Sequence, residues 1–189
     1  MVARIYTPAK VKNSLNYNEN KVRLGKAECL YAGNFLVEKD QMNFYQKLRF
    51  FENRSALNQR TSNAGLHISL NFDPSERIGM EKLIQIASEY MERIGFGDQP
   101  YLVYEHHDAG HPHLHIVTTL IKVDGKRIDI HNLGRNASEK ARKQIEISYN
   151  LVKASGKRQS AIHTLDQAKI QRVQYGKSET KRSITNVLD

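Results

Sequence analysis

The sequence has one cysteine among its 189 residues, and no apolar run in it approaches the ~18 residues that a membrane-spanning helix needs. A single cysteine excludes a disulfide framework and any zinc module built on cysteine ligands, and it is typical of a reducing compartment. The N-terminus lacks the apolar core of a secretory signal, and the chain has no internal repeat. We therefore expect a soluble, cytoplasmic protein that is not exported by that route.

Positive charge is concentrated at the two ends of the chain. Lysine and arginine outnumber aspartate and glutamate by 29 to 20, which gives a formal net charge of +9. Residues 1–27 carry six basic residues and one acidic residue, and residues 151–189 carry eight and three, whereas residues 28–150 are nearly neutral. Two basic ends favour a polyanionic partner. The alternative, which stays open at this point, is that the charges at the two ends only face solvent and bind no partner.

Apolar residues make up 39% of the chain and are patterned as short strands and amphipathic helices. Alternation predicts strands over 1–7, 65–72, 101–105 and 113–123, and the Asp124-Gly125 turn predicts a hairpin partner over 127–130. Helical spacing predicts helices over 38–53, from the Asp73-Pro74 break to about residue 94, and over 138–152. The asparagine-rich stretch 10–26 is predicted as a loop or a frayed helix. This mixture predicts an antiparallel α+β fold.

We predict that the chain has two parts. Residues 1–155 form the folded domain, and residues 156–189 form a basic C-terminal extension with a short helix around 165–173. The extension would be the start of a longer C-terminal region if the chain is a fragment.

Five of the eight histidines fall within ten residues, in the segment His106-His107-Asp108-Ala109-Gly110-His111-Pro112-His113-Leu114-His115. Side chains two apart on a strand share a face, so His113 and His115 project together. The turn at Gly110 and Pro112 can return His106 to this strand as a third ligand. Three imidazoles with open coordination positions are typical of a catalytic metal site, and they do not by themselves select the metal.

The sequence leaves open which of the neighbouring residues take part in this metal site. His107 directly follows His106, so either one could be the third ligand. Asp108 is placed to accept a hydrogen bond from the second ring nitrogen of a ligand. His111 is either a nearby polar residue or an alternative ligand. The alternative is that the histidine segment is a polar or pH-sensing loop that binds no metal.

Tyr17 stands in a basic, asparagine-rich segment, Ser14-Leu15-Asn16-Tyr17-Asn18-Glu19-Asn20-Lys21-Val22. A metal site in a basic protein favours a phosphodiester substrate, whose oxygens a cation can polarise. The reaction then requires water or a side chain as nucleophile, and an activated phenol would form a covalent tyrosyl phosphate. Tyr17 is therefore our candidate nucleophile. The alternative is a tyrosine whose ring packs on the domain while its hydroxyl faces water.

The histidine segment 106–117 and the tyrosine segment 15–22 together resemble the relaxase/mobilisation nuclease family. That family belongs to the HUH endonucleases, named for a His-hydrophobic-His motif, and the pattern here is most similar to the MOB-P group. Segments 65–74, 124–127 and 141–151 resemble the same family. The resemblance implies an antiparallel sheet flanked by helices, with the His-x-His strand at its centre.

The resemblance also implies roles for individual residues. The family's metal ligands map onto His106, His113 and His115, which would hold a divalent cation, Mn²⁺ or Mg²⁺. The family's nucleophile maps onto Tyr17, which would attack one phosphodiester at the nic site of a transfer origin (oriT). The products would be a 5′-phosphotyrosyl strand and a free 3′-hydroxyl. Asp108 would orient a histidine or assist the tyrosine.

The implied partner is single-stranded DNA at a transfer origin in the bacterial cytoplasm, for conjugative mobilisation of a plasmid or an integrative element. Accessory mobilisation proteins and a coupling protein are further expected partners, and no membrane partner is expected. The basic residues expected to bind DNA are Lys10, Lys12, Lys21, Arg23, Lys26, Arg127, Lys157 and Arg158.

Two other kinds of function stay open from the sequence. A rolling-circle replication initiator or a single-strand transposase of the same superfamily shares these motifs but generally has the tyrosine after the histidines, whereas Tyr17 precedes them here. A non-catalytic nucleic-acid-binding module with a structural metal would equally explain the basic ends.

Overall fold

The strands of the computed structural model, which describes residues 1–8 and 10–154, form one antiparallel sheet. They are β1 (Val2–Tyr6), β2 (Ala27–Gly33), β3 (Gly65–Asn71), β4 (Tyr101–His106) and β5 (His113–Thr119). Their order in the sheet is β1-β3-β5-β4-β2, so β5, which carries His113 and His115, is the central strand. The predicted α+β fold with a central His-x-His strand is confirmed.

Helices cover both faces of this sheet. They are α1 (Val11–Arg23), α2 (Phe44–Ala56), α3 (Met80–Arg93) and α4 (Glu139–Ser148), with a short 3-10 turn at Lys39–Gln41 and a π turn at Gly134–Ser138. Alternate residues of β5 serve the two faces. Leu114 and Ile116 pack with α3 and α4, whereas Val117 packs with Leu15 of α1 and Phe51 of α2. The histidines share the face of Val117, because they stand two and four residues before it.

α1 is a regular helix, so the prediction of a loop or a frayed helix over 10–26 is wrong. Its asparagines have low helix propensity, and packing on the sheet stabilises the helix instead. Val11, Leu15 and Asn18 are buried at helical spacing against the sheet. Tyr17 therefore stands on a fixed element rather than in a loop.

Other element boundaries differ from the sequence prediction for local reasons. β5 ends at Thr119 because the chain enters a tight hairpin, in which Ile121 bridges Arg127 and Gly125 adopts a φ of +77°. The helix predicted from residue 38 begins only at Phe44, where Asn43 and Gln46 form a capping box. The helix predicted after Asp73-Pro74 begins at Met80. β2 was not predicted at all.

The predicted division at residue 155 stays a prediction. The extension 156–189, with Lys157, Arg158 and the helix predicted over 165–173, lies outside the described residues. No helix in the described part of the chain is long and apolar enough to cross a bilayer.

Candidate active site and metal centre

β4 and β5 bring three histidine rings together near one end of the sheet. Their pairing sets His106, the last residue of β4, opposite His113, the first residue of β5. His115 lies on the same face, and its ring stacks on that of His106 with 4.1 Å between centroids. One ring nitrogen from each histidine lies within 4.8 Å of the other two. His106 is buried and His107 is exposed, so the structure places His106 in this cluster.

One nitrogen of each ring is hydrogen-bonded away from the cluster. His106 Nε2 lies 2.7 Å from Oδ1 of Asn18, and His115 Nδ1 lies 2.9 Å from Nε2 of His67. His113 Nδ1 donates to the backbone oxygen of His111 at 3.2 Å. These bonds leave Nδ1 of His106 and Nε2 of His113 and His115 for the space that the three rings share.

The nitrogens that face this shared space suit a divalent cation. Nδ1 of His106 is buried and has no hydrogen-bond partner among the residues that the structure describes. Burial lowers the pKa of His106 to about 4, and it also lowers the pKa of His113 and His115. The rings are therefore neutral at pH 7 and have lone pairs to donate, as metal ligands must. The three histidines fit a metal on these grounds.

Asp108 lies beside the inward nitrogens, in the loop between β4 and β5. Its Oδ1 is 3.9 Å from Nδ1 of His106 and 3.7 Å from Nε2 of His113. Its Oδ2 bonds the ammonium of Lys21, and this bond lowers the pKa of Asp108. Asp108 thus faces the candidate metal position, whereas Asn18, His67 and the His111 backbone fill the outward bonds.

Tyr17 lies over the same cluster, on the side of α1 that faces the histidines. Its ring centroid is 5.7 Å from that of His106 and 5.8 Å from that of His115. The Tyr17 side chain is still 44% exposed, so a substrate can reach it. The structure therefore brings together the predicted nucleophile, Asp108 and the three predicted ligands, although they are up to 98 positions apart in the sequence.

Comparison with protein families matches most of the chain to one family. The family model described as "Relaxase: MobA/VirD2-like, nuclease domain" matches residues 17–151. The chain belongs to this family. A similar solved structure is described as "Molecular Basis of Vancomycin Resistance Transfer in Staphylococcus aureus"; it is 13% identical, with a TM-score of 0.49 over 77% of this chain and 88% of that chain. No curated protein matches the chain.

As a relaxase nuclease domain, the chain is of a class of enzymes that nick DNA in mobilisation. The matched region begins at Tyr17 and ends at Leu151. It includes Tyr17, Asp108 and the three histidines. Lys10, Lys12 and the C-terminal extension lie outside it.

The basic residues predicted to bind DNA within α1 and its flanks lie on both sides of Tyr17. Lys10 and Lys12 are exposed at the start of the helix, and Arg23 and Lys26 are exposed at and beyond its other end. Lys21 differs from them, because it is only partly exposed and is bonded to Asp108. The other four residues are therefore available to a polyanion on either side of the relaxase's candidate nucleophile.

Two other predicted site residues, Arg127 and His111, lie outside the group of three histidines. Arg127 is exposed on the hairpin that follows β5, at the opposite end of that strand from His113. The ring of His111 lies next to the cluster, with Nε2 3.3 Å from Oδ1 of Asn71, and it is not one of the three grouped histidines. Its backbone oxygen bonds Nδ1 of His113, and its ring centroid lies 5.3 Å from that of His113.

Sequence reasoning missed Asn18 and His67, the two side chains that bond the candidate ligands. His67 belongs to the polar face of the strand predicted over 65–72, and that alternation was the available signal. Asn18 follows Tyr17 directly, but nothing in a run of asparagines distinguishes the one that is buried. Their roles appear only when α1 is packed on the sheet.

Proposed function

We propose that this relaxase domain nicks one strand of DNA at a transfer origin by transesterification, with Tyr17 as the nucleophile. The observation that carries the proposal is the position of Tyr17, exposed to solvent yet within 5.8 Å, between ring centroids, of two of the three candidate metal ligands. A phosphate at the cluster would be within reach of the phenol. The accessory and coupling proteins expected for mobilisation stay predictions.

In the proposed reaction, Oη of Tyr17 attacks phosphorus and the bond from phosphorus to the 3′ oxygen breaks. The phenol loses one proton and the 3′ oxygen gains one, so a 5′-phosphotyrosyl strand and a 3′-hydroxyl form without a cosubstrate. The reverse reaction rejoins the strand. The ammonium of Lys21, bonded to Asp108 beside the Tyr17 ring, would stabilise negative charge on the phosphate.

His106, His113 and His115 would hold a divalent cation, which when bound polarises a non-bridging phosphate oxygen as a Lewis acid. Three imidazoles favour Mn²⁺ over Mg²⁺, because Mg²⁺ prefers oxygen ligands and dehydrates reluctantly. Asp108 supplies one carboxylate near the same space, with Oδ1 within 4 Å of two of the inward nitrogens.

The DNA strand would leave this site across β3 and β1. Strand pairing sets Arg4 opposite Ser69, and Ser69 opposite His115, so these three residues form a row from the sheet edge to the cluster. Arg4 is exposed, and Tyr6 beside it is 50% exposed next to His67. A cation and an exposed aromatic ring are the groups that hold phosphates and stack bases of single strands.

The test is covalent capture of DNA by the purified protein. Single-stranded oligonucleotides tiled across the element that encodes the protein are incubated with it and Mn²⁺. A 3′-end label should enter a protein–DNA adduct that survives denaturation, and a 5′-end label should stay on a shorter free strand. The opposite label pattern would contradict the proposed polarity.

Tyr17→Phe should abolish the adduct, and Tyr6→Phe is the matched control because, among the residues that the structure describes, Tyr6 is a second exposed tyrosine near the cluster. An adduct that survives Tyr17→Phe and disappears in Tyr6→Phe would reassign the nucleophile. DNA and metal binding with no adduct on any tile would favour a non-catalytic binding module instead.

A further inference from the structure

The amide of Asn18 determines which nitrogen of His106 carries the proton. Nδ2 of Asn18 donates to the backbone oxygen of Ser14 at 2.8 Å, which fixes the orientation of the amide. Oδ1 of Asn18 therefore faces Nε2 of His106 at 2.7 Å, and an amide oxygen can only accept. His106 must carry its proton on Nε2. Its lone pair is then on Nδ1, which faces the shared space.

His67 makes the corresponding hydrogen bond with His115. Nε2 of His67 lies 2.9 Å from Nδ1 of His115, so one of these two nitrogens carries a proton and the other accepts it. If His115 is the donor, its Nε2 has a lone pair toward the cluster. If His67 is the donor, neutral His115 carries its proton on Nε2 and cannot act as a ligand there. Acceptance by His67 is thus required for His115 to bind a cation.

We propose that Asn18 and His67 are positioning residues that fix the tautomers of His106 and His115, so that these ligands present Nδ1 and Nε2 respectively to the metal. The inference rests on the metal site of the proposed function. Both partners are neutral, unlike the carboxylates that often bond metal-ligating histidines. They would orient the rings without adding negative charge behind the ligands.

Asn18 also links the ligand to the nucleophile, because it follows Tyr17 on α1. His67 lies on β3, and its ring centroid is 6.2 Å from that of Tyr17. The residues that orient two of the metal ligands therefore also lie next to the phenol. A change in either positioning residue should alter metal binding even in the absence of DNA.

The first test reads the tautomers directly, in the metal-free wild-type protein, by long-range ¹H–¹⁵N NMR of the histidine rings. The proposal expects His106 protonated on Nε2 and His115 protonated on Nδ1. Protonation of His106 on Nδ1, or of His115 on Nε2, would overturn it. This measurement does not depend on whether the protein binds metal or cleaves DNA.

The second test measures Mn²⁺ affinity by isothermal titration calorimetry. Asn18→Leu and His67→Phe remove the acceptors and should weaken binding by about 10- to 100-fold. Asn18→Asp and His67→Gln keep an acceptor oxygen and should restore most of the affinity. Asn20→Leu, on α1, and His107→Phe, in the loop after β4, are the matched controls, and they should bind like wild type.

The outcomes separate the two proposals. Wild-type protein that binds no Mn²⁺ would overturn the metal site of the proposed function. Wild-type protein that binds Mn²⁺, with Asn18→Leu and His67→Phe folded and equally tight, would overturn the positioning role alone. If the apolar variants do not fold, the Asp and Gln variants and the wild-type NMR spectrum still decide, because loss of affinity in the folded Asp and Gln variants would overturn the positioning role.

Discussion

Lys21 lies one helical turn after Tyr17 on α1, with its Nζ 5.0 Å from the centre of the Tyr17 ring. The same ammonium bonds Asp108, and this bond raises the pKa of Lys21 above its usual value. Residues four apart on a helix lie side by side, so α1 presents the proposed nucleophile and a permanent positive charge on one face. The pairing depends on the loop between β4 and β5, which supplies Asp108.

Replacing this positive charge should slow the chemical step. We expect Lys21→Gln to reduce the single-turnover rate of adduct formation by about 10²-fold, because the ammonium stabilises charge that develops on the phosphate. Lys12→Gln, on the exposed start of α1, is the control for general charge loss. Equal rates for the two variants at saturating oligonucleotide would show that Lys21 contributes only to binding.

Arg4 and Arg127 should contribute differently to DNA binding. Arg4 lies in the row that leads to His115, whereas Arg127 lies at the far end of β5. We expect Arg4→Gln to lower the affinity for single-stranded DNA and to reduce the slope of log affinity against log salt by about 0.7. Fluorescence anisotropy at several salt concentrations measures both. A larger effect of Arg127→Gln would indicate that the DNA runs toward the hairpin instead.

Bound metal should stabilise the folded protein, in addition to its proposed part in the reaction. A ligand that binds only the native state, at 100 times its Kd, adds about 2.7 kcal/mol to the free energy of unfolding. We therefore expect Mn²⁺ to raise the Tm of the wild type and EDTA to reverse the increase. His113→Ala should abolish the increase, and His131→Ala, which changes an exposed histidine, should keep it. A Tm increase that persists in His113→Ala would indicate a metal site elsewhere.

Acid should weaken one surface contact of α4 in a defined pH range. The hydrogen bond from Arg142 lowers the pKa of Glu139 from its usual 4.5 to about 2. Because the pKa is lower in the folded state, this carboxylate stabilises the fold above pH 4.5, and the contribution is lost as the pH falls through 2. Glu139→Gln should lower the Tm at pH 7 and the difference from wild type should shrink in acid. A Tm difference that stays constant as the pH falls to 2 would contradict this prediction.

The fold was predictable where one face of an element is buried. β3, β4 and β5 show their alternation or apolar character clearly, because Leu66, Val103 and Ile116 pack in the core. β2 was missed because its pairing with β4 shifts register between Cys29 and Tyr31, which interrupts the two-residue period of burial. α1 was missed because its helical state comes from packing on the sheet, which asparagine-rich local sequence does not indicate.

The site was predictable at the level of residue types and not of contacts. Five histidines in ten residues indicate a metal, but only strand pairing shows that His106 rather than His107 reaches the cluster. Lys21 was predicted as a DNA contact, and only the fold shows its bond to Asp108. Which ring nitrogen faces inward depends on the side chains of Asn18 and His67 and on the backbone oxygen of His111.

The elements that hold the site differ in how firmly they are anchored. The histidines lie on or at the ends of β4 and β5, which are paired on both sides, whereas Tyr17 lies on a helix held by one face, with no side-chain cap at its first turn. Local opening is easiest for elements with the fewest buried contacts, so amide hydrogen exchange should be faster in α1 than in β5. Warming should therefore inactivate the enzyme before the sheet melts, and cooling should restore its activity without refolding of the histidine strands.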